Sequence, residues 1–274
     1  MDIWQAVVLG IVEGITEFLP ISSTGHLTIT EKLMGLPIDD PSVTAYTAVI
    51  QVGAILAVLV YFAKDIARLA SAWGRGMVSA QARQEFDYKF AWYVIAGSIP
   101  VGLAGFFGKD LIIGPFRSMW VVAGALIVWS GVMAFAEYAA TQTRGERQLT
   151  LKDTVIIGLA QCLALIPGVS RSGATITTGL LRDLDRVTAT RLAFFLGVPA
   201  LVAAGVYELP DALDKIPLHT VFIGNIVSFA VAYASIAWLL RFVAHHTMMA
   251  FVWYRVGLGA LIIALLATNT ISAT

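Results

Sequence analysis

Two short stretches of this chain hold the residue types that do chemistry. In residues 10–30, GIVEGITEFLPISSTGHLTIT, Glu13 and Glu17 fall one helical turn apart and are followed by Ser22, Ser23, Thr24 and His26. In residues 158–178, GLAQCLALIPGVSRSGATITT, Arg171 stands between Ser170 and Ser172, with Thr175 close behind. Two carboxylates a turn apart repel unless a cation or a proton lies between them, and a hard divalent ion held by oxygen, Mg2+ or Ca2+, is the economical answer. A guanidinium where a short helix begins adds a bidentate fork for phosphate oxygens to the free backbone amides of that helix start. An acid pair, hydroxyls, a histidine, an arginine and a divalent metal together are what phosphoryl transfer needs. The metal and Arg171 neutralise charged oxygens, a serine or a water attacks phosphorus in line, and a base takes its proton.

Plainer roles compete for the same residues. Glu17 and Arg171 could be only a buried ion pair that staples the two stretches, and Ser22, Ser23, Thr24, Ser170 and Ser172 could be only helix caps. A lone histidine is more often a satisfied core group than a base. An ion pair by itself leaves Glu13, His26 and the hydroxyls without a use, and a charge in the middle of a membrane segment costs at least ~2.5–3.5 kcal/mol. His26 lies three residues after Ser23 and nine after Glu17, which in a hairpin brings it within reach of both. Tyr254 and Arg255, near the start of the last apolar run, suggest no more than a helix-to-helix contact.

The elements that must position these groups follow from composition. With 58% hydrophobic and 13% charged residues and a mean hydropathy of +0.80, the chain is far more apolar than a soluble domain, where about a quarter of residues are charged. It reads as an all-α polytopic membrane protein, with no nucleic-acid partner expected. The single cysteine, Cys162, excludes an internal disulfide, and four histidines without a His/Cys cluster argue against zinc. The first twenty residues lack a basic leader and contain Glu13 and Glu17, so they are expected to belong to the mature protein. Apolar runs at 3–21 and 27–35 flank the first turn, and runs at 153–167 and 173–181 flank the second. Each pair is too short to cross the bilayer twice and is expected to form a re-entrant hairpin. Six further runs, at 43–62, 90–107, 119–139, 190–207, 219–242 and 249–267, are long enough to span, and 64–89 is expected as a non-spanning inner segment.

Sliding the chain by 148 residues lays Gly10, Ser22, Gly25 and Thr30 on Gly158, Ser170, Gly173 and Thr178, and Glu13 on Gln161. Hairpin plus three spans therefore occurs twice, in 1–139 and 153–267, with 140–152 as a cytoplasmic linker inside one membrane domain. Three spans per half invert the second copy, an architecture that puts sites at the repeat interface. With both termini outside, Lys64, Arg68, Arg75, Arg83, Lys89, Arg144, Arg147, Lys152, Arg182, Arg186, Arg191 and Arg241 lie inside. Only Lys32, Lys109, Arg117 and Lys215 then lie outside. A transporter of a lipid phosphate would use the same architecture, with Arg171 as headgroup site and the glutamates as proton relay, but it would need no nucleophile.

The stretches EGITEFLPISSTGH and PGVSRSGAT, with Gln51 and Gly53 between them, resemble the signature motifs of the bacterial undecaprenyl-pyrophosphate phosphatase family of the bacitracin-resistance type. The resemblance implies hydrolysis of undecaprenyl pyrophosphate to undecaprenyl phosphate and inorganic phosphate, which recycles the lipid carrier of cell-wall synthesis and gives bacitracin resistance. It also implies a multi-pass plasma-membrane protein with six spans, two re-entrant hairpins and a site open to the outer face. A divalent cation is required, the partners are the polyprenyl pyrophosphate and membrane lipids, and a homodimer is left open. Carried onto this chain, the acidic motif is Glu13 and Glu17 for the metal, and Arg171 with Ser170, Ser172, Ser22 and Thr24 binds phosphate. Ser23 or a metal-activated water is the nucleophile, His26 the base or proton shuttle, and Gln51 and Thr175 supporting groups.

Overall fold

The computed structural model describes residues 2–37, 40–108, 118–215 and 217–273; Lys109, Arg117 and the side chain of Lys215 lie outside the described residues. Among the described residues there are eleven α-helices and no strand. They are α1 Ile3–Thr16, α2 Ser23–Leu33, α3 Pro41–Tyr61, α4 Ala63–Val78, α5 Phe86–Phe107, α6 Met119–Ala139, α7 Leu151–Gln161, α8 Arg171–Leu181, α9 Arg186–Lys215, α10 Leu218–His245 and α11 Met249–Ala267. Six of them, α3, α5, α6, α9, α10 and α11, are long and apolar enough to cross a membrane.

Both short pairs break where proline and serine demand it. Helix α1 stops at Thr16 instead of running to residue 21, because Pro20 disfavours helical backbone at the residue before it and cannot donate into the last turn. Helix α7 likewise ends at Gln161 and passes through a short 3-10 turn, Cys162–Leu165, before Pro167. Ser22 caps α2 by accepting from Gly25 N at 3.4 Å, and Ser170 caps α8 by accepting from Gly173 N at 3.2 Å. The two caps share an uncommon backbone, φ 75° and ψ 98° at Ser22 against φ 76° and ψ 126° at Ser170. A positive φ costs a non-glycine residue of order 1 kcal/mol or more, so the surrounding contacts must hold both turns.

Close helix packing supplies that hold. A Cβ at Gly10 would come within 2.8 Å of the Gly224 carbonyl oxygen, and one at Gly14 within 2.8 Å of the Ser228 oxygen, so α1 lies directly on the backbone of α10. In the other half α7 lies on α5, where a Cβ at Gly158 would sit 2.0 Å from the Gly97 oxygen. Gly10 and Gly158 are partners at the 148-residue offset. The first helix of each half thus packs on the second long helix of the other. Beneath the turns, Phe18 meets Phe194 edge-on at 5.5 Å within a core that also takes in Phe62, Phe90 and Phe195.

The segment 64–89, expected as a loop, is mostly helix. Leu69, Ala72 and Gly76 recur at helical spacing on the buried face of α4, while Lys64, Arg68 and Arg75 stay exposed, a pattern of low mean hydropathy that a search for spans passes over. Its charges join those of the other basic segments. Arg68 pairs with Asp65 at 3.2 Å and with Asp87, Arg191 with Asp65 at 3.1 Å and Glu146 at 3.3 Å, and Arg186 with Glu137. Residues from 64–89, 140–152 and 182–191 therefore meet on one face. Asp153, fully buried, receives Arg144 at 2.6 Å, Arg182 at 2.9 Å and the Thr150 hydroxyl at 2.7 Å. Burial alone pushes its carboxyl up, but these bonds outweigh burial and hold it well below the usual carboxylate range.

A group held low contributes stability that is complete above its unfolded value, near 4 for Asp, and is lost as pH falls through the folded value. Asp153→Asn is expected to lower stability at neutral pH by about 2 kcal/mol, because two partly solvated arginines lose their acceptor. Thermal unfolding in detergent from pH 7 down to pH 3 checks this: the acid limb of Tm should be shallower in the variant.

Candidate active site

The turn after α1 and the turn before α8 meet, and two contacts join them. Arg171 Nη2 donates to Glu17 Oε1 at 3.1 Å, and the Ser172 hydroxyl donates to the Leu19 carbonyl at 2.9 Å. The second oxygen of Glu17 accepts from the Ser23 hydroxyl at 2.7 Å. Serine, glutamate and arginine thus form one continuous line from the start of α2, through the end of α1, to the start of α8. Glu17 and Arg171 are both largely buried, but Ser23 is half-buried and Thr24, next to it, is exposed, so the line has an open end.

The guanidinium of Arg171 owes its course to a missing side chain. A Cβ at Gly197 of α9 would fall 1.3 Å from Arg171 Nη1, so the arginine crosses bare helix backbone on its way to Glu17. The Thr175 hydroxyl bonds the Arg171 carbonyl at 2.8 Å and the Ser172 carbonyl at 3.2 Å, within α8. Ser170 and Ser172 share a hydrogen bond at 3.1 Å. Gln51 is half-buried on α3 and makes no hydrogen bond to these groups among the described residues.

Glu13 is buried one turn before Glu17, and its Oε1 has no hydrogen-bond partner. A buried carboxylate oxygen left bare is costly, and a hard cation would satisfy it. Among the described residues no three His, Cys, Asp or Glu side chains gather in one place. Among the described residues at most two carboxylates, Glu13 and Glu17, therefore stand together here, a donor set that would suit an ion such as Mg2+, which keeps several waters in its shell.

His26 departs from the expected arrangement. It was placed within reach of Ser23 and Glu17, but its Nδ1 lies 2.7 Å from the Ser22 carbonyl and its Nε2 lies 2.6 Å from the Tyr254 hydroxyl. The reason is local: in α2 the ring points back over the preceding turn, where the Ser22 carbonyl four residues earlier is the nearest acceptor. Ser23 is left to Glu17 alone.

Two residues of α11 that the sequence left without a chemical role reach both turns. Arg255 has no exposed surface and donates to the Pro20 carbonyl at 3.1 Å, the Gly168 carbonyl at 2.8 Å and the Ser130 hydroxyl at 3.2 Å. Gly168 itself has φ 101°, and a Cβ there would strike the Val122 oxygen at 2.5 Å. Tyr254, the neighbouring residue, meets His26. A signal for Arg255 was present in the sequence, a charged residue within an apolar span, but nothing in its own helix names partners more than eighty residues away.

The sequence profile described as bacitracin resistance protein BacA matches residues 6–261 of this chain. The chain is 58% identical to undecaprenyl-diphosphatase 1 of Streptomyces coelicolor, over 99% of this chain and 98% of that one. It is 55% identical to undecaprenyl-diphosphatase 3 of Frankia casuarinae over the full length of both, and 53% identical to undecaprenyl-diphosphatase of Acidothermus cellulolyticus over 98% of each. The chain belongs to the BacA family and is a multi-pass membrane protein.

Arg255→Lys keeps the charge but gives up the planar fork that serves two carbonyls and a hydroxyl at once. Leaving one or two buried acceptors unmet is expected to cost about 1–3 kcal/mol. A fall in Tm of several degrees for the detergent-purified variant would register it.

Proposed function

We propose that this chain, in keeping with the diphosphatase names of its relatives, hydrolyses undecaprenyl pyrophosphate to undecaprenyl phosphate and inorganic phosphate. It thereby recycles the lipid carrier of cell-wall synthesis and lowers the amount of pyrophosphate lipid open to bacitracin. The observation that carries the reading is the hydrogen-bonded line from Ser23 through Glu17 to Arg171, a nucleophile, a proton acceptor and a phosphate fork drawn from two separate turns.

Each residue then has a task. Arg171 turns its fork to the terminal phosphate, and Ser170, Ser172, Ser22 and Thr24 stand at the two helix starts whose amides favour anions. Glu13 and Glu17 would hold a divalent cation, Mg2+ or Ca2+, which when bound neutralises phosphate charge as the leaving group departs. Ser23 Oγ attacks the terminal phosphorus while Glu17 Oε2 takes its proton. The bond from that phosphorus to the bridging oxygen breaks, and undecaprenyl phosphate leaves. Water then hydrolyses the phosphoserine to release inorganic phosphate and restore Ser23. Glu17 has the geometry for the first proton transfer, and His26 serves as a shuttle at the open end of the site.

Around this site we read two re-entrant hairpins, α1 with α2 and α7 with α8, related as an inverted repeat. The matching cap backbones of Ser22 and Ser170 and the reciprocal packing through Gly10 and Gly158 support this. The face that gathers Arg68, Arg144, Arg182 and Arg191 is the cytoplasmic one by the positive-inside rule, which leaves both termini and the mouth of the site on the outer side. Lys32 donates to the Ser272 carbonyl at 2.7 Å and Met119 N to the Ala273 carbonyl at 2.8 Å, so the end of α2 and the start of α6 lie beside the C-terminal segment, in keeping with that reading.

The test is phosphate release from undecaprenyl pyrophosphate by purified protein in detergent, with Mg2+, with Ca2+ and with EDTA. Metal-dependent release is expected, and Arg171→Ala should lower kcat by ~10²–10³-fold. Gly197→Ala should approach the same loss with little change in Tm, since its methyl displaces the guanidinium. Ser23→Ala separates the two nucleophiles: a large residual rate would rule out the phosphoserine and leave the metal-activated water. No release from folded wild type under any metal would sink the enzyme reading in favour of a carrier of lipid phosphate.

A further inference from the structure

The proton on His26 can be placed from its partners. A backbone carbonyl only accepts, so the 2.7 Å contact with Ser22 O puts a hydrogen on Nδ1. The neutral ring then has a bare Nε2, and the Tyr254 hydroxyl at 2.6 Å donates to it. The two rings lie nearly parallel, 6° between planes, with centroids 5.6 Å apart. The basic nitrogen of His26 is thus turned toward a phenol that is 48% exposed. The phenol comes from α11, and its neighbour Arg255 fixes that helix to the carbonyl of Pro20 in the same turn.

Resting on the phosphatase reading, we propose that Tyr254 is the positioning residue for His26: its hydroxyl orients the imidazole and keeps Nε2 as the nitrogen through which His26 exchanges protons. The phenol suits this because it can do both jobs. It donates to Nε2 while the ring is neutral. When the ring takes up a proton it rotates its own hydrogen away and accepts from Nε2–H, while Nδ1–H stays on the Ser22 carbonyl. The ring therefore keeps one orientation through both protonation states, and Tyr254 ends each cycle unchanged. On the elements packed against α2 the other charged residues are Glu13 of α1, Glu17 in the turn after it, Arg255 of α11 and Glu137 at the far end of α6, and the other tyrosines are Tyr46 and Tyr61 of α3 and Tyr138 of α6.

Tyr254→Phe keeps the ring and removes only the hydroxyl. Loss of a group that orients a functional histidine is expected to cost ~10–100-fold in kcat with KM unchanged. The decisive measurement repeats the substitution in a His26→Gln background, where it should cost nothing further. An equal loss in both backgrounds or an unchanged kcat would each overturn the proposal. A wild type that releases no phosphate would instead overturn the phosphatase reading, so the two failures are distinct. Unfolding in detergent at the wild-type Tm excludes a packing defect as the cause, and a rate restored by Tyr254→His would support the hydrogen bond as the active element.

Discussion

A single guanidinium with no exposed surface holds the two turns at a common distance. Among the described residues Arg255 faces no carboxylate across its fork; it faces the carbonyls of Pro20 and Gly168, one from each turn, and the hydroxyl of Ser130. Burying a charge without a counter-charge is expensive, and several oriented dipoles are needed to offset it. That expense confers specificity. Carbonyls at any other separation would leave the cation bare, so the arrangement in which Glu17 can touch Arg171 is also the one in which Arg255 is satisfied.

The division of labour between the two arginines follows from what each one meets. Arg171 keeps a little exposed surface and is bound to a single carboxylate, that of Glu17. Arg255 is bound to main-chain oxygens that cannot leave. Between them runs the backbone of two strained serines, Ser22 and Ser170, which hold positive φ because contacts on every side allow no other course. The glycines at 10, 14, 158 and 197 act in the same sense: each removes a side chain where a carbonyl or a guanidinium must pass.

Much of this was legible in the sequence, and the limits have physical causes. The six long helices and the breaks near Pro20 and Pro167 were readable because hydropathy and proline are local signals. The ion pair of Glu17 with Arg171 was readable only as the plainer alternative role, and the offset of 148 laid Gly10 on Gly158 without naming the helices that receive them. Helix α4 was missed because its apolar residues recur on one face only and its mean hydropathy is low. Tyr254 and Arg255 were noticed but given no chemistry, since their partners are set by how α11 meets the turns and no spacing along the chain encodes that. His26 was assigned the wrong neighbours for a similar reason: nearness in sequence to Ser23 and Glu17 counted for less than the direction in which a helical side chain leans.

The reciprocal packing also bears on how the chain is made. Helix α1 rests on the backbone of α10, more than two hundred residues later in the chain, and the cation that fixes its turn is residue 255. Until α10 and α11 have been synthesised, the first turn has neither its floor nor that clamp. An early segment therefore takes its final shape from late ones. A chain truncated before α11 would carry every residue of both motifs and still lack the cation that bridges their two turns.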